Sequence, residues 1–375
     1  MGVKYLDRRT ILKAATIGPG IAATSGAGSA LAAPAVVTTP PEVHWRLQSS
    51  FPAQIDTIRG GTEAIVRTVG VLTGGRFQIE IGEPGDFVPA EETFDAVQAG
   101  KLQAQQTCSY YYIDRDPAFA FGSSMPFGLN ARMQNAWIGE GGGQHLLDSF
   151  YDHYDMVSFV AGNTGVQMGG WFRKEIRSLP EIAGLKMRIA GLGGTVLERL
   201  GVQTQAMRIE TTYAALERGT IDAAEWGGPS EDEKLGFYRV APYYYYPGWW
   251  DGGPAIHLLV NKTAFEALPE SFKLALKASA AQSSQTMLAR YDVRNNQAIR
   301  SLLDKGVQLR PFPTDLMQAA YKASFELYDE LAASHPHFKT IYGPWKAFRD
   351  QIYQSFRVAE YAFDSFGFAQ QAKGL

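Results

Sequence analysis

Between Val43 and Ile81 the hydrophobic period changes twice, and that change leaves few folds open. Val43, Trp45 and Leu47 alternate, as a half-buried strand does. Ile58, Ile65, Val69 and Leu72 then fall at helical spacing and stop at Gly74-Gly75. Phe77, Ile79 and Ile81 alternate again. A strand, a helix and a strand with short connections make the unit of a parallel α/β sheet, because parallel neighbours need a crossover and the helix supplies it. Thr93 to Leu102 reads as another short helix, ended by Gly100 and feeding the segment Ala104 to Tyr112.

A second α/β block is expected to start near Val157. Met156 to Val160 and Val166 to Met168 are short strand candidates, and Leu185 to Ile189 is another. The turn Gly191-Leu-Gly-Gly194 and a helix from Thr195 to Leu200 follow. Thr212 to Arg218 is a helix stopped by Gly219, with a strand from Ile221 to Trp226 after it. Ala255 to Val260 has the continuous apolar character of a buried strand leading back to the first block. Pro269 to Gly306 reads as one long helix, and the chain is helical from Asp315 almost to its end. A length of 375 residues allows two lobes, each with its own core. Lobe I is expected to comprise 43–156 plus 255–310, lobe II 157–254, and a C-terminal helical segment 315–375. A chain that crosses between two lobes more than once encloses a cleft, the ordinary place for a ligand and for hinge closure over it.

The composition excludes several classes. A hydrophobic fraction of 45% is too high for a disordered chain, and the lone Cys108 rules out a disulfide scaffold. A formal charge of −3 offers no basic stripe, so no nucleic-acid partner is expected. The 21 Phe, 18 Tyr and 7 Trp are an aromatic excess that asks for extra buried surface or a ligand-facing wall.

The first 32 residues read as an address. Arg8-Arg9 precedes Ile11, Leu12 and Lys13, and the mildly apolar stretch Ala14 to Ala30 is interrupted by Gly18, Pro19 and Gly20. That stretch is too weakly apolar to span a bilayer, and the segment resembles a twin-arginine export signal with Ala30-Leu31-Ala32 as its cleavage site. Its removal leaves 31 basic and 37 acidic residues, a mildly acidic chain expected in the periplasm. Cys108 has no partner there and is expected to be a buried thiol acting as a small hydrophobe.

Signatures of catalysis are missing. There is no P-loop, no G-x-S-x-G elbow in the mature chain and no H-E-x-x-H, and the six His are scattered. Gly191-Leu-Gly193-Gly194 follows a strand and opens a helix, but a third glycine would fall at Val196. A tight turn with an anion-friendly helix start accounts for it better than a dinucleotide site.

Several segments together resemble one family. Leu179-Pro-Glu-Ile-Ala-Gly-Leu-Lys-Met-Arg188, Tyr213-Ala-Ala-Leu-Glu-Arg-Gly-Thr-Ile-Asp222 and Ala223-Ala-Glu225 are similar to the core of the solute-binding subunits of TRAP (tripartite ATP-independent periplasmic) transporters. Leu72-Thr-Gly-Gly-Arg76 and Val97-Gln-Ala-Gly100 match the same family's first lobe. The resemblance covers residues 43–310. Glu225-Trp226, Gln167-Met-Gly-Gly-Trp171 and the aromatic C-terminus look like the branch that binds 2-oxo or 2-hydroxy monocarboxylates, such as pyruvate or lactate, with a metal ion. It implies a two-lobed, periplasmic-binding-protein-like α/β fold with a ligand cleft and a long C-terminal helix.

Residue by residue, the resemblance implies that Arg188 grips the ligand carboxylate, for which its planar fork offers two parallel charge-assisted hydrogen bonds. Gln167, Glu225 and Asp251, with the Trp226 carbonyl, would hold the cation. Oxygen donors without nitrogen or sulfur suit calcium, with sodium the alternative. Two carboxylates balance Ca²⁺ and the ligand balances Arg188, so a closed cleft would bury almost no net charge. Glu225 and Asp251 also sit beside Gly-Gly pairs, where turn chemistry is the competing explanation. The Trp226 ring would be a wall, and one of Tyr111 or Tyr112 would donate a hydroxyl to the ligand. Tyr110–Tyr112 and Tyr243–Tyr246 cannot all face one way in a strand, and Trp249-Trp250 reads as packing.

In the C-terminal helix Trp345, Phe348, Ile352, Phe356, Ala359 and Phe363 make one apolar face, and Tyr353, Val358 and Tyr361 a second. The branch it resembles forms homodimers by exchanging this helix. No bond is expected to be made or broken: the chain would deliver its ligand to the small and large membrane subunits of a TRAP transporter. An exported oxidoreductase and a receptor-type sensory binding protein are the competing functions.

Overall fold

The computed structural model describes residues 41–373, so the expected export signal lies outside the described residues. Eleven strands occur in this range. They are β1 (Val43–Ser49), β2 (Phe77–Gly82), β3 (Ala104–Thr107), β4 (Met156–Asn163), β5 (Trp171–Phe172), β6 (Lys186–Arg188), β7 (Gln203–Gln205), β8 (Ala223–Ala224), β9 (Tyr243–Tyr246), β10 (Ala255–Asn261) and β11 (Gln308–Pro311). They form two sheets, in the orders β2-β1-β3-β10-β4 and β11-β9-β5-β8-β6-β7. Each sheet with its helices is one lobe of a two-lobed α/β fold.

The opening unit forms as its periodicity dictates. β1 and β2 are parallel, with Val43 opposite Phe77 and Leu47 opposite Ile81, and the helix Asp56–Leu72 crosses between them. Ile58, Ile65 and Val69 are buried on its inner face, while Leu72 stays exposed at the glycine stop. β10 returns to this first sheet as expected, antiparallel to β3 and β4.

One expected strand lies in the other sheet, and one strand forms where none was expected. Met156–Asn163 does not open the second lobe; it pairs with β10 along its whole length, Val157 opposite Val260. Gln308–Pro311 lies beside β9 in the second sheet. A hydrophobic pattern marks a strand, but the partner in each case lies far away in sequence and is chosen by which surface remains uncovered. Val166–Met168 is not a strand at all. The Gln167 and Met168 amides donate to Asp251 O and Gly227 O in loops, and the ladder starts only at Trp171.

The chain crosses between the sheets three times: at residues 164–170, at 247–254, and along the helix Glu270–Asp304. That helix packs on Asp56–Leu72 and β4 in one lobe and on the helix Pro229–Leu235 of the other. No helix among the described residues is long and apolar enough to cross a membrane.

The aromatic excess is mostly core. Trp171 stacks on Tyr244 at 3.9 Å between ring centroids, and Trp249 on Phe127 at 5.0 Å. Trp249 and Trp250 are buried, as is the Cys108 thiol, whose pKa burial pushes up. The Gly191 turn also serves packing: a Cβ on Gly193 would sit 2.6 Å from Trp250 Cβ, so only glycine lets the helix Gly191–Arg199 approach.

The C-terminal segment is three helices, Thr314–Ser334, Pro336–Val358 and Glu360–Gln371. Phe338, Ile341, Tyr342 and Trp345 bury the start of the second against Phe121 and Tyr328. From Phe348 onward burial fades, and the backbone turns at Ala359. The third helix buries none of its side chains: Phe363 is 81% exposed, and Phe366 and Phe368 about as much.

Candidate functional site

Two of the three crossings run side by side and are tied together by their backbones. The Gln167 amide donates to Asp251 O at 3.0 Å, Gly248 N–H donates to Gln167 O at 2.9 Å, and Asn163 Nδ2 donates to Gly253 O at 2.8 Å. Gly170 completes the first crossing at φ +85°, a left-handed conformation in which a Cβ would also lie 2.7 Å from Ala224 O. Gln167 and Asp251 are therefore fixed at the junction of the lobes.

Arg188 and Glu225 come from the second sheet. Arg188 ends β6, opposite Ala224 of the parallel β8, and the Glu225 amide donates to Arg188 O at 3.0 Å. Both side chains are buried, at 5% and 3% exposure. The guanidinium donates through Nε to Met207 O at 3.2 Å and through Nη1 to both Glu225 O and Glu225 Oε2, the latter at 3.2 Å. Its face lies over the Trp226 ring, 4.8 Å from the centroid, which fixes the plane of the fork.

One end of the Gln167 amide lies 3.0 Å from Glu225 Oε1 and 3.2 Å from Asp251 Oδ2, and its other end 3.2 Å from the Thr164 hydroxyl. With nitrogen at the acidic end, the amide donates to both carboxylates. With oxygen there, three acceptor oxygens meet, and only a cation among them stabilises the arrangement. Thr164 serves either orientation, since its hydroxyl both donates and accepts. The residues thus offer the oxygen donors that a hard cation takes. Burial pushes the Glu225 and Asp251 pKa values up, and Arg188 opposes that shift without cancelling it. A positive ion would relieve the same strain.

Two cavities open on this cluster. The outer one, about 430 Å³, is lined by Arg188, Tyr111, Met207 and Trp226. The inner one, about 20 Å³, also touches Tyr111 and Trp226 and reaches Gln167. Ser109–Tyr112 is a turn of 3₁₀ helix rather than a strand end, so its tyrosines point three ways. Tyr111 faces the cavities and Tyr110 is buried beside them. Tyr112 turns away into the first lobe, against Phe94 and Phe119, with its hydroxyl bonded to Gln105 and Thr107. The structure therefore brings Arg188, Gln167, Glu225, Trp226, Asp251 and Tyr111 together and leaves Tyr112 out.

Sequence reasoning missed Thr164, the Met207 carbonyl and two buried acids. Asp232 accepts from Trp171 Nε1 at 3.0 Å and Tyr244 Oη at 2.6 Å, and Glu231 lines the inner cavity. Burial pushes both up to about pKa 7. Ser230-Glu-Asp-Glu-Lys234 looks like a solvated run, and nothing in its composition signals otherwise. Among the described residues no group of three or more His, Cys, Asp or Glu side chains gathers.

Comparison with known proteins places this geometry. Residues 49–335 match bacterial extracellular solute-binding protein family 7 (DctP). A monocarboxylate 2-oxoacid-binding periplasmic protein of Nostoc sp. is 45% identical over 331 residues, 88% of this chain and 91% of the relative. A TRAP transporter solute-binding protein of Bordetella bronchiseptica, a mixed-occupancy dimer with calcium and picolinate in one site, superposes with a TM-score of 0.87 at 46% identity, over 89% of this chain and all of that one. A TRAP periplasmic solute-binding protein of Pseudoalteromonas atlantica with sodium and pyruvate gives 0.83 at 34% identity, over 86% of this chain and 99% of that one. The chain belongs to the DctP family of TRAP solute-binding proteins.

Proposed function

We propose that this chain captures a small 2-oxo or 2-hydroxy monocarboxylate, of the pyruvate or lactate kind, together with a cation, and delivers it to TRAP membrane subunits without chemical change. The observation that carries this reading is the meeting of one amide end and two buried carboxylates beside a buried arginine. Gln167, Glu225 and Asp251, with the Trp226 carbonyl, would hold the cation, and Arg188 would take the ligand carboxylate. The ion supplies positive charge for the ligand's 2-oxygen. Calcium is the favoured cation, because Arg188 and Ca²⁺ together balance two carboxylates and a monoanionic ligand. Sodium would leave one negative charge buried. Tyr111 is the better placed of the two tyrosines to bond the ligand.

Export through the twin-arginine route to the periplasm, where the Nostoc relative's name places that protein, fits the leader. A homodimer formed through the helices after Phe348 accounts for a last helix none of whose side chains is buried on its own chain.

Thermal melting with a panel of small carboxylates, with calcium, sodium or chelator, tests the reading. Pyruvate with calcium should raise the midpoint by mass action, and chelation should remove most of the shift. No shift with any monocarboxylate in either ion would refute it.

A further inference from the structure

The inner cavity holds an acid that neither the cation nor the ligand carboxylate needs. Glu231 is 2% exposed, and its Oε1 has no hydrogen-bond partner, while Oε2 accepts from the Ser230 hydroxyl at 3.4 Å. The Tyr291 and Thr57 hydroxyls also stand beside the carboxyl and oppose the rise in its pKa that burial causes, and neither satisfies Oε1. The same cavity touches Gln167 and Trp226, and Phe51, Ile55 and Ile256 line it elsewhere. Tyr110, Tyr111, Thr164, Gln167 and Tyr291 also line it, and none of them gives Oε1 a hydrogen bond. The space suits about one water-sized group.

We propose that Glu231 Oε1 accepts a hydrogen bond from a hydroxyl-sized donor on the ligand side chain, remote from the carboxylate held by Arg188, so that the chain prefers hydroxylated 2-oxo acids to their plain alkyl counterparts. This rests on the reading of the cleft given above. Oε2 accepts from Ser230, so the ionised carboxylate keeps Oε1 as the acceptor that faces the cavity. A ligand that supplies the donor removes the penalty of a buried, unpaired acceptor, and an alkyl ligand does not.

Titration calorimetry of the mature chain in calcium, with pyruvate, 3-hydroxypyruvate, 2-oxobutyrate and 4-hydroxy-2-oxobutyrate, tests the proposal. The natural chain should bind at least one hydroxylated acid about tenfold more tightly than its parent. Glu231→Leu should erase that preference and still bind pyruvate. Glu231→Asp, which keeps the charge and the fold while retracting the acceptor, should weaken the preferred hydroxylated acid and leave its parent unchanged. Equal affinity of parent and hydroxylated acids for the natural chain overturns the role of Glu231, as does a preference that survives both substitutions. If none of the four acids binds, the reading of the cleft itself falls.

Discussion

Asp251→Asn tests the cation site by changing one charge and almost no volume. Asp251 Oδ2 lies 3.2 Å from the end of the Gln167 amide that also meets Glu225, so a cation bonded to these oxygens would sit in contact with the Asp251 carboxylate. At an effective dielectric of about 20, two unit charges about 4 Å apart interact by about 4 kcal/mol. Removing the carboxylate therefore costs a divalent ion about 4 kcal/mol more than it costs a monovalent one. Burial raises the Asp251 pKa, but the proton that an arriving ion must displace costs calcium and sodium alike and cancels in the comparison. The difference of about 4 kcal/mol is roughly a 1000-fold swing from calcium toward sodium. Calorimetric titration of each ion at saturating pyruvate, on the natural chain and on Asp251→Asn, reads the swing directly. Calcium affinity within about threefold of the natural chain, with sodium equally unaffected, would show that Asp251 is not a cation ligand.

Arg188→Lys removes the fork and leaves a single point charge. Losing one of two charge-assisted hydrogen bonds, at about 1.5–3 kcal/mol each, should weaken pyruvate at least tenfold in calorimetry. Arg188→Ala should in addition lower unfolding free energy by about 1–3 kcal/mol in a urea titration, because Met207 O and the Glu225 oxygens lose a buried donor. The pH dependence has a definite sign. Burial raises the Glu225 and Asp251 pKa values in the folded, cation-free chain, so that state holds more protons than the unfolded one from the ordinary carboxylate range up to the raised values. Their contribution to stability therefore declines as pH rises through that window. Calcium should restore it increasingly toward alkaline pH, and melting curves from pH 4.5 to 8.5 with and without calcium should diverge upward. Ending the chain after Ala359 removes a helix none of whose side chains is buried, together with the exposed Arg132–Glu360 ion pair. If the proposed dimer forms through this helix, sedimentation should show the full chain at twice the mass of the shortened one with ligand affinity unchanged, and equal masses would assign the exposed phenylalanines to another partner.

Local order was legible in the sequence and non-local order was not. The β1, Asp56–Leu72, β2 unit follows from periodicity because each element shows one apolar face to one core. β4 was recognisable as a strand and β11 was not, and the sheet of each was chosen by a distant partner, β10 or β9. The acids after Pro229 illustrate the limit at the site. Glu233 pairs with Lys305, and Lys234 with Asp56, as surface charges do. Glu231 and Asp232 occupy the same helix turn but face inward, toward Tyr291 and Tyr244. Four consecutive charged residues carry no mark of which two are buried, because that depends on how the short helix is rotated by its neighbours.

The residues proposed for the cation were legible only through resemblance, and their location explains what composition could not. Gln167 stands on one crossing between the lobes and Asp251 on another, while Glu225 and Trp226 belong to the second sheet. On the proposed reading a cation would tie both crossings to one lobe and so act on the hinge as well as on the ligand. Without it, the Gln167 amide satisfies both acids by donating to them. With it, Gln167 would present its oxygen, the acids would be ionised, and the ligand's 2-oxygen would join the oxygens that hold the ion. Cation and ligand are then coupled through one set of atoms: each should bind more tightly in the presence of the other by the same factor, as linkage requires.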